Sequence, residues 1–151
     1  MKTVTVGMFL ERSKTPYGAV TVHKEATLRE ILDTMLRHGE ERAVFVVDDD
    51  GALSGVVSLG ALARHVMHEG IAPQNGFSPA TDILHYLTAE NAADIMETEV
   101  VCCSPDEPLE DVRQKMLGRK VYKVLPVVDA SYRIVGALNL IALLEASLAE
   151  E

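Results

Sequence analysis

Two pairs of polar residues recur at one spacing of 81 along this 151-residue chain: Arg42 with Lys123, and Ser58 with Asn139. Ser58 and Asn139 are strong helix N-cap types, each placed between a short apolar run and the start of a second one. A capped helix start leaves amides at its positive end, which is a preformed site for an anion. Arg42 and Lys123 stand at the entry to the preceding apolar run, and their recurrence there singles them out as the second pair. The plainer reading makes all four residues caps and solvated surface charges. Other chemistry-bearing residues point less far. His65 and His68 could share a metal from one helix face, yet no third ligand stands nearby, so no metal site is assigned. Asp48-Asp49-Asp50-Gly51 has the composition of a calcium loop but lacks the downstream bidentate Glu, and a polar hairpin turn accounts for it. Cys102 and Cys103 are adjacent, and in a strand they would face opposite sides. No phosphate loop, dinucleotide fingerprint or nucleophile elbow is present, and no nucleophile stands with a base, so no catalytic residue is assigned and the chain does not read as an enzyme.

The elements that would hold these residues are written twice. Residues 20–64 match residues 101–145 without a gap at 11 of 45 positions, among them Val46-Val47-Asp48 with Val127-Val128-Asp129 and Gly55 with Gly136. Thr27-Leu28-Arg29-Glu30 is a capping box, and Leu28, Ile31, Leu32, Met35 and Leu36 follow at helical spacing. Leu109, Val112, Met116 and Leu117 repeat that face after Pro108, a good first-turn residue. Short β-branched runs at 43–47 and 124–128 read as buried strands, each joined through a turn to a hairpin partner at 53–57 and 134–138. Pro126 inside the second run argues for an edge or a bulge. Helices at 59–67 and 140–148, with preceding strands at 20–22 and 100–102, complete a β-α-β-β-α unit in each half. Val6-Gly7-Met8-Phe9-Leu10 is the counterpart of Ala92-Ala93-Asp94-Ile95-Met96. Between the copies, 70–76 is loop-like, and Ser78-Pro79 caps a short helix carrying Ile83, Leu84 and Leu87.

Composition bounds the partners. With 14 basic and 23 acidic residues the net charge is −9, which leaves no basic stripe for nucleic acid. The charge is uneven: −2 over residues 1–70 and −7 over residues 71–151. No apolar stretch approaches the ~20 residues of a membrane span, and no signal peptide is read at the start, so membrane insertion and export are not expected. Two cysteines suit a reduced, cytoplasmic setting, with a buried thiol rather than a redox pair.

The order Asp-Ile-Met (94–96), strand, capped helix, Leu-Pro-Val-Val-Asp (125–129) and a Gly before the final helix resembles a tandem CBS-domain pair, also called a Bateman module. The resemblance covers nearly the whole chain. It implies an α+β fold of two tandem β-α-β-β-α CBS units related by a pseudo-twofold axis, with residues 1–68 as the first domain, 69–91 as a linker with a short helix, and 92–151 as the second. It also implies a regulatory role, with adenine nucleotides such as AMP, ADP or ATP held in the inter-domain cleft and no other cofactor. By resemblance Ser58 and Asn139 lie near a bound phosphate, and Arg42 and Lys123 contact it. The family's Asp three residues after the hydroxyl, which holds the ribose hydroxyls, is replaced by Ala61 and Ala142. Losing that acceptor should cost roughly 1.5–3 kcal/mol, one to two decades in affinity. Weak nucleotide binding, a ligand that is not a ribonucleotide, and no ligand at all therefore remain open.

The expectation is a free-standing sensor that binds a small anionic ligand and acts on a separate effector protein, the alternative being a ligand-free assembly module. A homodimer is expected through the final helix of each unit, with Leu62, Val66, Leu143 and Leu144 as contacts.

Overall fold

The computed structural model describes residues 4–12, 18–38, 42–67, 90–117 and 121–149. The 70–76 loop, the Ser78-Pro79 helix and His68 lie outside them. The elements in chain order are α1 (Val6–Arg12), β1 (Thr21–His23), α2 (Leu28–Arg37), β2 (Ala43–Val47), β3 (Leu53–Ser58) and α3 (Leu59–Met67). The second half supplies α4 (Ala92–Ile95), α5 (Leu109–Met116), β4 (Val124–Val128), β5 (Ile134–Asn139) and α6 (Leu140–Ala149). The repeat read from sequence is therefore a repeat of structure: β2 and β3 reappear as β4 and β5 at the same offset of 81.

The chain divides into two compact units, one of residues 20–47 and 54–98, the other of residues 1–19, 48–53 and 99–151. Each short leading helix docks on the other repeat. In the unit of the first repeat, Ala92 and Ile95 of α4 join Val22, Ile31, Met35, Val44, Val46, Val57 and Leu62 in one core. In the unit of the second, Val6 of α1 is buried with Leu109, Val112, Leu125, Val127, Leu138 and Leu143. The two dockings use corresponding bonds. Ala92 and Ala93 donate to the carbonyls of Ala26 and Lys24, while Val6 and Gly7 donate to those of Glu107 and Pro105. Val6-Gly7 and Ala92-Ala93 are thus structural counterparts.

The recurring glycines belong to the same contact. A Cβ on Gly55 would lie 2.7 Å from both the Glu97 carbonyl oxygen and Met96 Sδ, because Glu97 bridges backbone-to-backbone with Val56 on β3. A Cβ on Gly136 would lie 3.1 Å from Leu10 Cδ1. At Gly55 only a residue without a side chain lets the segment after α4 approach β3 this closely, whereas at Gly136 the neighbour is the flexible end of a side chain within α1.

Pro126 also has a definite consequence. In the first repeat β1 pairs in parallel with β2, Val22 opposite Val46, and Phe45 N–H donates to the Val20 carbonyl at 2.9 Å. Pro126 takes the place of Phe45 and has no N–H to give. The parallel partner accordingly shrinks to a single bridge, Cys103 opposite Val127, in the register of Val22 and Val46. The expected strands at 20–22 and 100–102 are corrected to Thr21–His23 and that one bridge. A bulge falls between Val127 and Val128.

Both hairpin turns are built on their leading aspartate. Asp48 Oδ1 accepts from the amides of Asp50 and Ala52, and Asp129 Oδ1 from those of Ser131 and Arg133. The carboxylate is engaged by the turn itself, as the hairpin reading of 48–51 requires. Gly51 sits at φ +82°, where its counterpart Tyr132 is held at φ 68°. Within the second unit the two turns meet, the Leu53 amide donating to the Tyr132 carbonyl at 2.8 Å.

Candidate functional site

In each repeat the residue before the central strand and the residue that caps the last helix are brought together by one backbone bond. Leu59 N–H donates to the Arg42 carbonyl at 2.7 Å, and Leu140 N–H donates to the Lys123 carbonyl at 2.9 Å. The bond joins the start of β2 or β4 to the first helical residue of α3 or α6, so the basic residue and the cap share one loop cluster. Arg42 and Lys123 are both exposed.

The caps also form, and they take up amides that the sequence reading left for a ligand. Ser58 Oγ accepts from Ala61 N–H at 3.1 Å, and Asn139 Oδ1 accepts from Ile141 at 2.8 Å and Ala142 at 3.2 Å. At α6, Leu140, Ile141 and Ala142 therefore all have acceptors within the protein. At α3, Leu59 and Ala61 do, which leaves the Gly60 amide as the first-turn donor for an incoming group.

One basic residue was not singled out from the sequence. A Cβ built on Gly60 would lie 3.6 Å from Arg64 Nη1 and 4.0 Å from Ser58 Oγ. Arg64 thus lies back along α3, with its guanidinium beside the cap and the glycine. The signal was a basic residue one helical turn after a glycine, visible only once Gly60 is known to leave the space open. In the second repeat the corresponding residues are Glu145 and Ile141. The first loop carries two guanidinium groups, and the second carries one ammonium and one carboxylate.

Ala61, at the place of the absent ribose acceptor, is 5% exposed, and its amide is held by Ser58. Of the two histidines read as a conceivable pair, His65 packs its Nδ1 against the Ala61 carbonyl at 2.8 Å. Among the described residues no group of three or more His, Cys, Asp or Glu side chains could hold a metal ion.

The proposed dimer contacts need correction. Leu62 and Leu143 are each 2% exposed, because they fall on the inward faces of α3 and α6 and complete the two cores. Val66 and Leu144 do face outward, with Ile141 and Leu148 beside Leu144 in the α6 sequence. Leu36 and Leu117, expected on the core faces of α2 and α5, are exposed at the helix ends. Pro108 occupies the cap position of α5 rather than its first turn and supplies no side-chain cap, whereas Thr27 caps α2 through the Glu30 amide.

Cys102 and Cys103 differ in burial and in partner, Cys103 turning its thiol to the Pro126 carbonyl at 3.8 Å. Cys103 is buried, and that burial, with Glu107 nearby, pushes its thiol up to about 12. Cys102 is half-buried and donates to Tyr132 Oη at 3.6 Å.

A β-α-β-β-α plan carried twice, with a basic residue and a helix cap joined at the same loop in each copy, defines a tandem module of α+β class. The CBS-domain profile matches residues 16–68 and 92–149, and the chain belongs to the CBS-domain family. Its two matched segments make it a tandem CBS module, of a kind that is generally regulatory. Among solved structures it is similar to CBSX2 of Arabidopsis thaliana in complex with AMP, with 24% identity, 97% of each chain covered and a TM-score of 0.69. It is also similar to the CBS domain pair of protein MJ0100 in complex with 5′-methylthioadenosine and S-adenosyl-L-methionine (21% identity, 99% of this chain and 100% of that one, TM-score 0.67). The cytosolic domain of the Mg2+ channel MgtE in complex with ATP aligns at 27% identity over 85% of this chain and 44% of that one, TM-score 0.61. No curated protein matches the chain. Among the described residues no helix is long and apolar enough to cross a membrane.

Proposed function

We propose that this protein is a regulatory module that binds a small phosphate-bearing ligand, an adenine nucleotide in the first instance, at the α3 loop of its first repeat. The observation that carries this reading is the joining of Arg42 to the start of α3, where Ser58, the Gly60 amide and the Arg64 guanidinium converge. Charge-assisted hydrogen bonds from such donors are about twice as strong as neutral ones. The ligands named for similar structures, AMP, ATP and S-adenosyl-L-methionine, support the adenine part of the proposal. Lys123 and Asn139 form the weaker of the two loops, since Glu145 stands where the first repeat has Arg64 and the first-turn amides of α6 are already satisfied.

With Ala61 in place of a ribose acceptor, the phosphate supplies most of the recognition, and added salt weakens binding. Occupancy is passed to a separate effector protein in the cytoplasm by a shift in conformational population. The module acts as a homodimer, with the exposed Ile141, Leu144 and Leu148 of α6 and Val66 of α3 as contacts. Sedimentation of the protein at micromolar concentration tests the dimer, and a monomeric mass rejects it.

The test of the ligand is mass spectrometry of small molecules released from the purified protein, followed by titration with whatever is found. A phosphate-bearing adenine compound that binds more weakly at higher salt supports the reading. Release of an uncharged compound, with affinity indifferent to salt, favours recognition by shape and overturns it.

A further inference from the structure

The two repeats differ at a groove that has no part in the anion loop. In the first repeat an open groove of about 580 Å³ runs between β1 and α2, with Thr21, Ala26, Glu30, Asp33, Thr34 and Arg37 in its lining. At the corresponding place in the second repeat, the protein's own Lys115 reaches across: its ammonium donates to the Cys102 carbonyl at 3.2 Å and pairs with Glu107. Burial alone would lower the Lys115 pKa, and the hydrogen bond and charge of Glu107 more than offset this, so that it lies above its ordinary value. Lys115, Glu107 and Cys102 correspond to Thr34, Ala26 and Thr21 at the offset of 81.

The acceptor that Lys115 uses has a counterpart in the first repeat. The parallel register aims the backbone groups of Val20 and Val22 at β2, so those of Thr21 point to the open edge. β1 is the last strand of its sheet, and the Thr21 carbonyl faces the groove as the Cys102 carbonyl faces Lys115. Thr34, in the place of the lysine, is too short to cross; its hydroxyl donates to the Glu30 carbonyl at 2.7 Å and accepts from Arg37 Nη2 at 3.2 Å, so the Arg37 guanidinium stays at the α2 wall and does not reach the Thr21 edge as Lys115 reaches Cys102. Glu30 and Asp33 bring carboxylates to the wall, Asp33 sharing its own with Arg29 in an exposed pair.

We propose that this groove binds a primary ammonium group of a small alkylamine, which takes the place that the Lys115 side chain fills in the second repeat. The acceptors are the Thr21 carbonyl and the carboxylates of Glu30 and Asp33. The proposal stands independently of the anion loop, since none of its residues belongs to that site.

The probe is 1,4-diaminobutane, added to the isotope-labelled full chain and followed by amide NMR, with 1,4-butanediol as the uncharged control. Saturable shifts at Thr21, Val22 and Thr34 with the diamine alone are expected. Ala26→Glu combined with Thr34→Lys, which rebuilds the second repeat's own plug, should weaken the diamine at least about tenfold. Should that variant fail to fold, Asp33→Asn decides, since it changes an exposed helix residue and should weaken the diamine several-fold. In the second repeat, Lys115→Ala should be restored toward the parent's unfolding temperature by the diamine and not by the diol. Equal shifts with both probes, no saturable shift, or unchanged affinity in the folded variants would overturn the proposal.

Discussion

The first and second repeats follow one backbone plan with different local chemistry, and their differences sort into those that shape the fold and those that shape recognition. Phe45 against Pro126 decides whether the parallel strand is three residues long or a single bridge. Gly51 against Tyr132 decides whether the hairpin turn is relaxed or strained. Arg64 against Glu145, and Gly60 against Ile141, decide how much positive charge and open space stand beside the cap. Each repeat thus serves as the other's internal control.

The largest contrast to probe lies at Cys103, the counterpart of Val22. At mildly alkaline pH its thiolate should be about a thousandfold scarcer in the folded protein than in the unfolded chain, as expected for a thiol raised from 9.0 to about 12. Alkylation of Cys103 should therefore wait for unfolding, which peptide mapping after a timed label would show. The sign of the linkage follows: a thiol kept neutral by the fold contributes stability fully present below about pH 9, and that stability is lost as pH rises toward 12. A stability that stays flat across that window would break the contrast between a buried thiol and its valine counterpart.

Next in size are the paired glycines. Gly55→Ala must push a methyl against a backbone carbonyl and should cost about 1–3 kcal/mol, while Gly136→Ala meets only the flexible end of Leu10 and should cost less than about 1 kcal/mol. Urea unfolding of both variants checks the order, and equal losses would mean that the leading helices do not dock as described.

The smallest effects belong to the turns. Gly51→Ala should destabilise by about 1 kcal/mol, and Tyr132→Gly should return a similar amount by releasing the left-handed strain, reduced by the lost contact with Cys102. Opposite shifts in unfolding temperature would sharpen the comparison, and shifts of the same sign would contradict it.

Much of this architecture was legible because both copies carry the same periodic signals. The ranges of β2, β4, α3 and the start of α6, the N-cap at Thr27, and the kinship of Val6-Gly7 with Ala92-Ala93 all followed from spacing and residue type, whereas the reciprocal bonding of a capping box forms at Asn91 and Asp94 and not at Thr27 and Glu30. The docking of each leading helix on the other repeat was not legible. A four- to seven-residue apolar segment carries no mark of which of two similar cores it will join, and only the bonds to Ala26, Lys24, Glu107 and Pro105 settle it. The loop of Arg42 and Ser58 was legible as a pairing, whereas the satisfied amides and the placement of Arg64 depend on backbone directions that a sequence does not display. Leu62 and Leu143 were misplaced for a related reason, since an apolar helix offers two faces and only packing chooses between them.

The central claim is that the anion site belongs to the first repeat, and calorimetric titration of ATP into the parent, Arg42→Ala and Lys123→Ala proteins tests it most directly. Measurable binding to the parent, about tenfold or greater weakening in Arg42→Ala, and a smaller loss in Lys123→Ala are the predicted results, with folding stability little changed in either variant. A parent that does not bind, or an Arg42→Ala protein that binds as the parent does, would contradict the account.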